Sequence, residues 1–410
     1  MDLLIHNARL VLQGGGGEGS LLVRDGKISG VFTEAEQPTG LGANQRIDLA
    51  GAYLGPGLID IHIHGSHAID VLNATGNDLV KLADSLLQDG ITGYVPTLVP
   101  VGENDYQRTI GSIRAAIDTE RKGGRDYSRV LGVHFEGPFV SEKKCGALHR
   151  EFFRTYDGPG SSLEMFRAPA LSSAEHGVPP CRLMTIAPEV TGGIALIQEL
   201  SRSGVRCFIG HTAADFETLG RALSAGAVHI THFPNALEPL HHRRPGAVAW
   251  GLLTREVSLD TIADYHHVHP EVLKLIYRMK GATGMALISD AIPPTCLPEG
   301  EYVVWGDRIE IKDGRTRLVS QKGSVPTDGE GTIAGSVITL RQAVVNAIGI
   351  GIPVHEAVSM ASMVPANAAG MDRWLGSIEP GKVANLIAFD QAVNVKLVMV
   401  EGEIRVDQRS

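Results

Sequence analysis

Eight short apolar runs recur along the middle of the chain, beginning near Leu58, Ile91, Val130, Leu183, Val205, Ala227, Val257 and Met285. Helix-like stretches fall between most of them. Leu79 to Leu87 follows Asn77, read as its N-cap, and stops at Asp89-Gly90. Ile194 to Leu200 and Phe216 to Leu223 stop short of Gly204 and Gly226. Glu271 to Met279 follows His269-Pro270, with proline at a helix start. Eight strand–helix repeats over roughly 250 residues are what a (β/α)₈ barrel requires. An open doubly wound sheet is the alternative, and it calls for a glycine-rich dinucleotide turn after the first strand that the chain lacks.

Both ends have a different texture. Leu3 to Leu12, Ser20 to Val23 and Lys27 to Val31 read as strands, with Gly14–Gly17 as a turn and Asp25-Gly26 as a hairpin. Asn385–Phe389, Val395–Val400 and Glu403–Val406 read the same way around a Glu401-Gly402 turn. The expected fold is therefore α/β: a TIM-like barrel with a small β-sandwich domain formed by both termini. The expected division is residues 1–54 plus 377–410 for the sandwich and 55–376 for the barrel.

Composition excludes several classes. A net charge of −9 argues against a general nucleic-acid surface. Gly14–Gly17 lacks the lysine and hydroxyl residue of a phosphate loop. No apolar run is long enough to span a bilayer, and Met1–His6 lacks the basic start and apolar core of a secretory signal. Four cysteines without CxxC spacing point to a reduced, cytoplasmic protein.

In a barrel of this kind chemistry sits at the carboxyl ends of the strands. His62 and His64 end the first strand, two residues apart and so on one face. Glu136 ends the third, His211 the fifth and His232 the sixth. The seventh runs to Asp264 and leads to His266 and His267, and the eighth ends at Asp290. Each residue alone has a bland reading as a cap or a satisfied core histidine. Their coincidence at one rim favours a metal site. His134 and His229 read as core or supporting residues. His6, His176, His355, His241 and His242 fall outside the rim pattern.

These residues sit in blocks that resemble the amidohydrolase superfamily, and within it the amino-sugar phosphate deacetylases. The blocks are Asp60–Gly65, His134–Phe139, Gly210–Thr212, Thr231–Ala236, Arg243–Gly246, Ser289–Ala291, Ile333–Ser336 and Gly381–Asn385. The resemblance implies hydrolysis of N-acetyl-D-glucosamine 6-phosphate to D-glucosamine 6-phosphate and acetate, in amino-sugar catabolism. It implies that Glu136, His211 and His232 hold the main divalent cation and that Asp290 is the catalytic acid/base. Ala147, Asn235, Ala236, Arg243, His267, Ile333, Ala334 and Gly335 would contact substrate. Zinc is the first expectation for the cation, with iron, cobalt or manganese as alternatives, and one or two ions per subunit. The partner expected is the small amino-sugar phosphate, with no nucleic acid or membrane, and a homodimer follows from the resemblance alone.

Three departures bear on this. His62 and His64 are retained where some members replace them, which favours room for two cations. The usual Gly-Ala-His order reads Gly146-Ala147-Leu148-His149, displacing the histidine by one. Pro234 stands where an aromatic residue is common. The competing readings are a deacetylase of the galactosamine epimer, another amidohydrolase, and a non-catalytic scaffold on the same barrel. A cyclic-amide hydrolase would often use a metal-bridging lysine, and here Glu136 stands as the candidate ligand.

Overall fold

A computed structural model describes residues 2–33, 43–123, 127–158, 163–167, 171–320 and 332–409. The eight apolar runs form strands β1 (Leu58–Ile63), β2 (Ile91–Leu98), β3 (Gly132–Glu136), β4 (Cys181–Ile186), β5 (Arg206–Ile209), β6 (Ala227–Ile230), β7 (Ser258–Ile262) and β8 (Met285–Ile288). Each pairs parallel with the next in sequence order. Their side chains are nearly all buried, as strands covered on both faces must be. The ring closes between β8 and β1 through a parallel bridge of Ile63 with Ala291 and a hydrogen bond from Asp290 N–H to His62 C=O at 3.0 Å. The barrel expected from the sequence is the fold observed.

Helix boundaries follow local chemistry. The helix Gly76–Gln88 is capped by Thr75, whose hydroxyl accepts from Asp78 N–H while the Asp78 carboxylate returns to Thr75 N–H. This reciprocal capping box corrects the expectation of Asn77 as the cap. Phe216–Ala225 starts at an Asp215 cap and stops at Gly226, whose φ of 112° only glycine adopts freely. Pro270 opens the helix Pro270–Gly284, as its missing N–H permits.

The two ends of the chain meet in one hydrogen-bonded sheet. Asp2–Leu12, Gly15–Arg24, Lys27–Thr33, Gln45–Asp48 and Tyr53–Pro56 join Leu386–Phe389, Val395–Val400 and Glu403–Asp407. Asp2–Leu12 has an irregularity between Ile5 and Ala8. Its first half pairs with Gln45–Asp48 and its second with Tyr53–Pro56, so the sheet bends over its own core. That core draws Ile5, Leu10, Leu21 and Leu54 from one end and Leu386, Leu397 and Met399 from the other. The glycine run is not all turn. Gly15, Gly16 and Gly17 pair with Leu12, Val11 and Leu10, and a Cβ on Gly16 would lie 2.3 Å from Leu10 O. Asp25 and Gly26 both have positive φ, the requirement of a tight hairpin turn.

One element escapes the sequence reading. Gly300–Val304, Asp307–Lys312 and Arg315–Ser320 form a three-stranded antiparallel sheet between β8 and the helix Leu340–Gly349. Val303 at its edge is 72% exposed, while Asp307–Lys312 alternates, with Ile309 and Ile311 buried. No helix among the described residues is long and apolar enough to cross a membrane.

A buried ion pair joins the barrel to the terminal sheet. Arg129, just before β3, donates to Glu401 Oε2 from Nε at 3.1 Å and Nη2 at 2.9 Å. Nearby Glu120, on the helix Glu103–Gly123, is buried, and both its carboxylate oxygens lack a close hydrogen-bond partner. Burial pushes it up to about 7, against the pull of Ser173 and Arg129. A carboxyl group raised on folding stabilises fully below its unfolded value, and that stability is lost as pH rises through the folded one. Denaturant unfolding should therefore show stability falling by on the order of 3 kcal/mol between about pH 4.5 and 7 from this group. Glu120→Gln should flatten that part of the profile, and an unchanged slope would remove Glu120 as its source.

Candidate active site

The carboxyl ends of β1, β3, β5 and β6 and the residues just past β8 converge. His62 ends one residue short of the β1 terminus and His64 one residue beyond it, and period two sends both rings to the same side. Their Nε2 atoms are 3.2 Å apart. Glu136, the last residue of β3, stands between two histidine pairs. Its Oε1 is 3.0 Å from both His211 Nε2 and His232 Nε2, and its Oε2 is 3.3 Å from His64 Nε2. Asp290 Oδ1 lies 3.4 Å from His62 Nε2 and 3.3 Å from His64 Nε2. All six side chains are buried or nearly so.

Three of these residues hold a left-handed backbone: His211 at φ 47°, His232 at 33° and Asp290 at 49°. Non-glycine residues persist there when their surroundings hold them, and such strain clusters at functional sites. Asp290 is held on both sides. Its N–H donates to His62 C=O, and its C=O accepts from Ser336 N–H at 2.8 Å.

The donors fall into two sets, His62–His64–Glu136 and Glu136–His211–His232, with the ligand atoms of each within 4.8 Å of one another. Imidazole nitrogens with a shared carboxylate are a fitting donor set for a first-row divalent cation. The outer nitrogens support this. His64 Nδ1 faces Thr97 O at 3.3 Å and His211 Nδ1 faces Lys144 O at 2.8 Å. A carbonyl there keeps the proton on Nδ1 and leaves the Nε2 lone pair for a metal.

Charge in the cluster is balanced internally. Burial disfavours a charged His64, but its hydrogen bonds to the carboxylates of Asp290 and Glu136 outweigh it and carry the ring up to about 10. His232 is carried up to about 9, burial again being overcome by Glu136. Burial would raise Glu136 and Asp290, yet His62 above all holds both below the usual carboxylate range. His134, packed against His62 with ring centroids 4.7 Å apart, is driven well below its ordinary value by burial and then by His62.

The expected substrate contacts are placed less uniformly. His267 Nδ1 is held by Asp264 Oδ2 at 2.7 Å, leaving Nε2 open. Asn235 donates its amide to His232 O at 3.0 Å, and Ala236 accepts Thr212 N–H at 3.1 Å. Ile333, Ala334 and Gly335 run into Ser336, which bridges to Ala291 beside Asp290. Ala147 lines a cleft of about 450 Å³ with His149, Phe152, Asp70 and Trp305. Arg243 is exposed on the loop before the helix Gly246–Leu253, with no side-chain hydrogen bond or ion pair among the described residues. The displaced His149 meets Asp307 Oδ2 at 2.8 Å.

The sequence reading missed several supporting residues. Trp305, at the tip of the inserted sheet, packs edge-on against His64 with ring centroids 5.0 Å apart. Nothing in its local sequence signals this. Asp60 and Asp260 are fully buried beside the cluster, and burial pushes Asp60 up to about 6. Asp60 was legible: it shares the period-two face of His62 and His64.

Residues 53–405 match the model of the amidohydrolase family. The chain is 33% identical over 383 residues to the N-acetylglucosamine-6-phosphate deacetylase of Vibrio furnissii, covering 92% of this chain and 89% of that one. Among solved structures, the N-acetylglucosamine-6-phosphate deacetylase of Pasteurella multocida superposes with a TM-score of 0.84 at 26% identity, over 99% of this chain and 100% of that one. A mutant of the Mycobacterium smegmatis deacetylase, in complex with N-acetyl-D-glucosamine-6-phosphate, superposes with a TM-score of 0.80 at 27% identity over 99% of both chains.

Metal ligands must shed their protons to bind, so cation binding and proton release are coupled. His64 and His232 carry protons at pH 8, below about 10 and about 9. Zinc titration by calorimetry at pH 8, in buffers of different ionisation enthalpy, should show release of about one to two protons per site. The release should decline as pH passes 9 toward 10. A count of zero at pH 8 would contradict the charge balance described.

Proposed function

The chain belongs to the amidohydrolase family, and from that premise we infer that it hydrolyses N-acetyl-D-glucosamine 6-phosphate to D-glucosamine 6-phosphate and acetate. The observation that carries the reading is Asp290: a buried carboxylate 3.4 Å from His62 and 3.3 Å from His64, in a cluster whose two sets of cation donors share Glu136. Deacetylation needs an activated water, a polarised amide and a proton for the departing amine, and this arrangement supports all three.

A divalent cation held by Glu136, His211 and His232, with His62 and His64 able to hold a second, supplies acidification of water and polarisation of a carbonyl oxygen. Zinc suits the imidazole-rich donor set, and iron, cobalt and manganese share much of its ligand chemistry. Asp290 accepts the proton of the attacking water and delivers it to the amine nitrogen as the C–N bond breaks. Its ionised state, held by the positive rings around it, suits the first of those roles. His267, steadied by Asp264, presents Nε2 to the substrate. Arg243 offers a planar fork for the phosphate, reaching it from its exposed loop. Asn235, Ala236, Ala147 and the Ile333–Gly335 segment line the sugar site. We retain residues 1–54 with 377–410 and residues 55–376 as the two domains. A cytoplasmic homodimer remains part of the proposal, resting on the free cysteines and the family resemblance.

Acetate release from a panel of N-acetyl hexosamine phosphates, with and without chelator, tests the function. The glucosamine compound should be the best substrate, and chelation should abolish turnover. Activity untouched by exhaustive chelation, or absent with every cation, would overturn the reading. Asp290→Asn should lower kcat by roughly 10²–10⁴ with the cation still bound. Wild-type turnover in that variant would end its acid/base assignment. Arg243→Ala should raise KM for the phosphorylated sugar while leaving the slow reaction of the unphosphorylated sugar unchanged. An unaltered preference for phosphate would release Arg243 from that role.

A further inference from the structure

The outer nitrogens divide the four histidine ligands into two kinds. His64 and His211 are held through Nδ1 by the carbonyls of Thr97 and Lys144. The Nδ1 atoms of His62 and His232 are buried with no hydrogen-bond partner among the described residues. A ring without that outer bond must be aimed through its main chain and its packing. For both residues a buried aspartate takes the main-chain N–H. Asp260 Oδ1 accepts from His232 N–H, and Asp60 Oδ1 accepts from His62 N–H at 3.3 Å.

Each aspartate is fixed in turn. Asp260 Oδ2 lies 3.0 Å from His229 Nε2, and His229 Nδ1 lies 2.6 Å from Ser258 Oγ. Asp260 also accepts Phe233 N–H at its backbone oxygen, at 2.8 Å, so it grips two consecutive residues at the strained turn after β6. Asp60 Oδ1 reaches across the barrel seam to Ser289 N–H at 3.4 Å, one residue before Asp290. The two donor sets are thus served alike, with one ligand held by a carbonyl at its ring and one held by an aspartate at its backbone.

We propose that Asp260 and Asp60 are positioning residues for the cation ligands His232 and His62, acting as main-chain acceptors, one for each donor set. The assignment rests on the cation reading above. Asp260 serves Glu136–His211–His232, and Asp60 serves His62–His64–Glu136. Neither aspartate touches substrate. What each supplies is an oxygen facing an amide, so an isosteric amide side chain should do the same work.

Zinc affinity measured by competition with a chromophoric chelator tests this, with the absorption spectrum of the cobalt-loaded protein as a second readout. Asp260→Ala should weaken the tighter cation by about 10–100-fold, the usual scale for a lost supporting contact, and alter the cobalt bands. Asp260→Asn, which keeps an oxygen for His232 N–H, should stay within about threefold of wild type. Asp60→Ala should weaken only a second cation and leave the first untouched. Melting of the cation-free proteins separates a purely structural role, which would lower Tm with affinity intact and so overturn the assignment. Equal losses in the Ala and Asn variants of Asp260 would also overturn it, as would Asp60→Ala weakening the first cation as much as Asp260→Ala does. If Asp260→Ala fails to fold, Asp260→Asn decides alone: a loss beyond about tenfold overturns the proposal and retained affinity supports it. Wild-type protein that binds no zinc at all would overturn the cation reading itself, which distinguishes the two failures.

Discussion

The seam between β1 and β8, where Asp290 N–H donates to His62 C=O and His64 N–H donates to Ala291 C=O, closes the barrel and assembles the site. Before it forms, β1 and β8 are the free edges of a twisted parallel sheet, and an unpaired edge is costly to bury. Once it forms, the first and last strands deliver two histidines and a carboxylate to the same few ångströms. The seam places backbone strain as well, because Asp290 sits at positive φ between two main-chain partners. Fold and reactive geometry are therefore not separable here. A change that loosens the seam disturbs Asp290 before it disturbs the core.

The second constraint is electrostatic. Four imidazoles, Glu136 and Asp290 share a volume with almost no water, and neither sign of charge could be buried there alone. The carboxylates make the rings basic and the rings make the carboxylates acidic. A cation entering such a cluster replaces protons instead of adding charge to a neutral cavity. The same balance leaves Asp290 ionised, which is the form a proton acceptor needs.

The barrel and its rim were legible because parallel strands buried on both faces are written as continuous apolar runs, and because period two links His62 to His64. Glu136, His211, His232 and Asp290 could be read from their positions at strand ends once the runs were counted. The termini were legible as strands, but their bending into a sheet that folds over itself depends on an irregularity at Ile5–Ala8 that no pattern marks. The Thr75 cap was missed because Asn77 is an equally good cap by type, and only the reciprocal bond with Asp78 separates them. The inserted sheet and Trp305 were missed for a different reason. Ile309 and Ile311 do alternate with polar neighbours, but a short hairpin insertion adds nothing to a count of barrel strands, and the contact of Trp305 with His64 joins residues far apart in the chain. Arg243 illustrates the converse: its type suggests a role, while its side chain has no hydrogen bond or ion pair among the described residues.

The inserted sheet touches the catalytic region through two neighbouring residues, Trp305 against His64 and Asp307 against His149. Its strands pair with one another, Val304 and Ile309 share a buried cluster with Ile292 and Ala334, and Thr316 Oγ1 donates to Gly335 O at 2.7 Å. The inserted sheet thus reaches one edge of the donor cluster through Trp305. The ring that packs on His64 is in that sense supplied by a separate piece of chain, while the donors themselves come from the ends of the barrel strands.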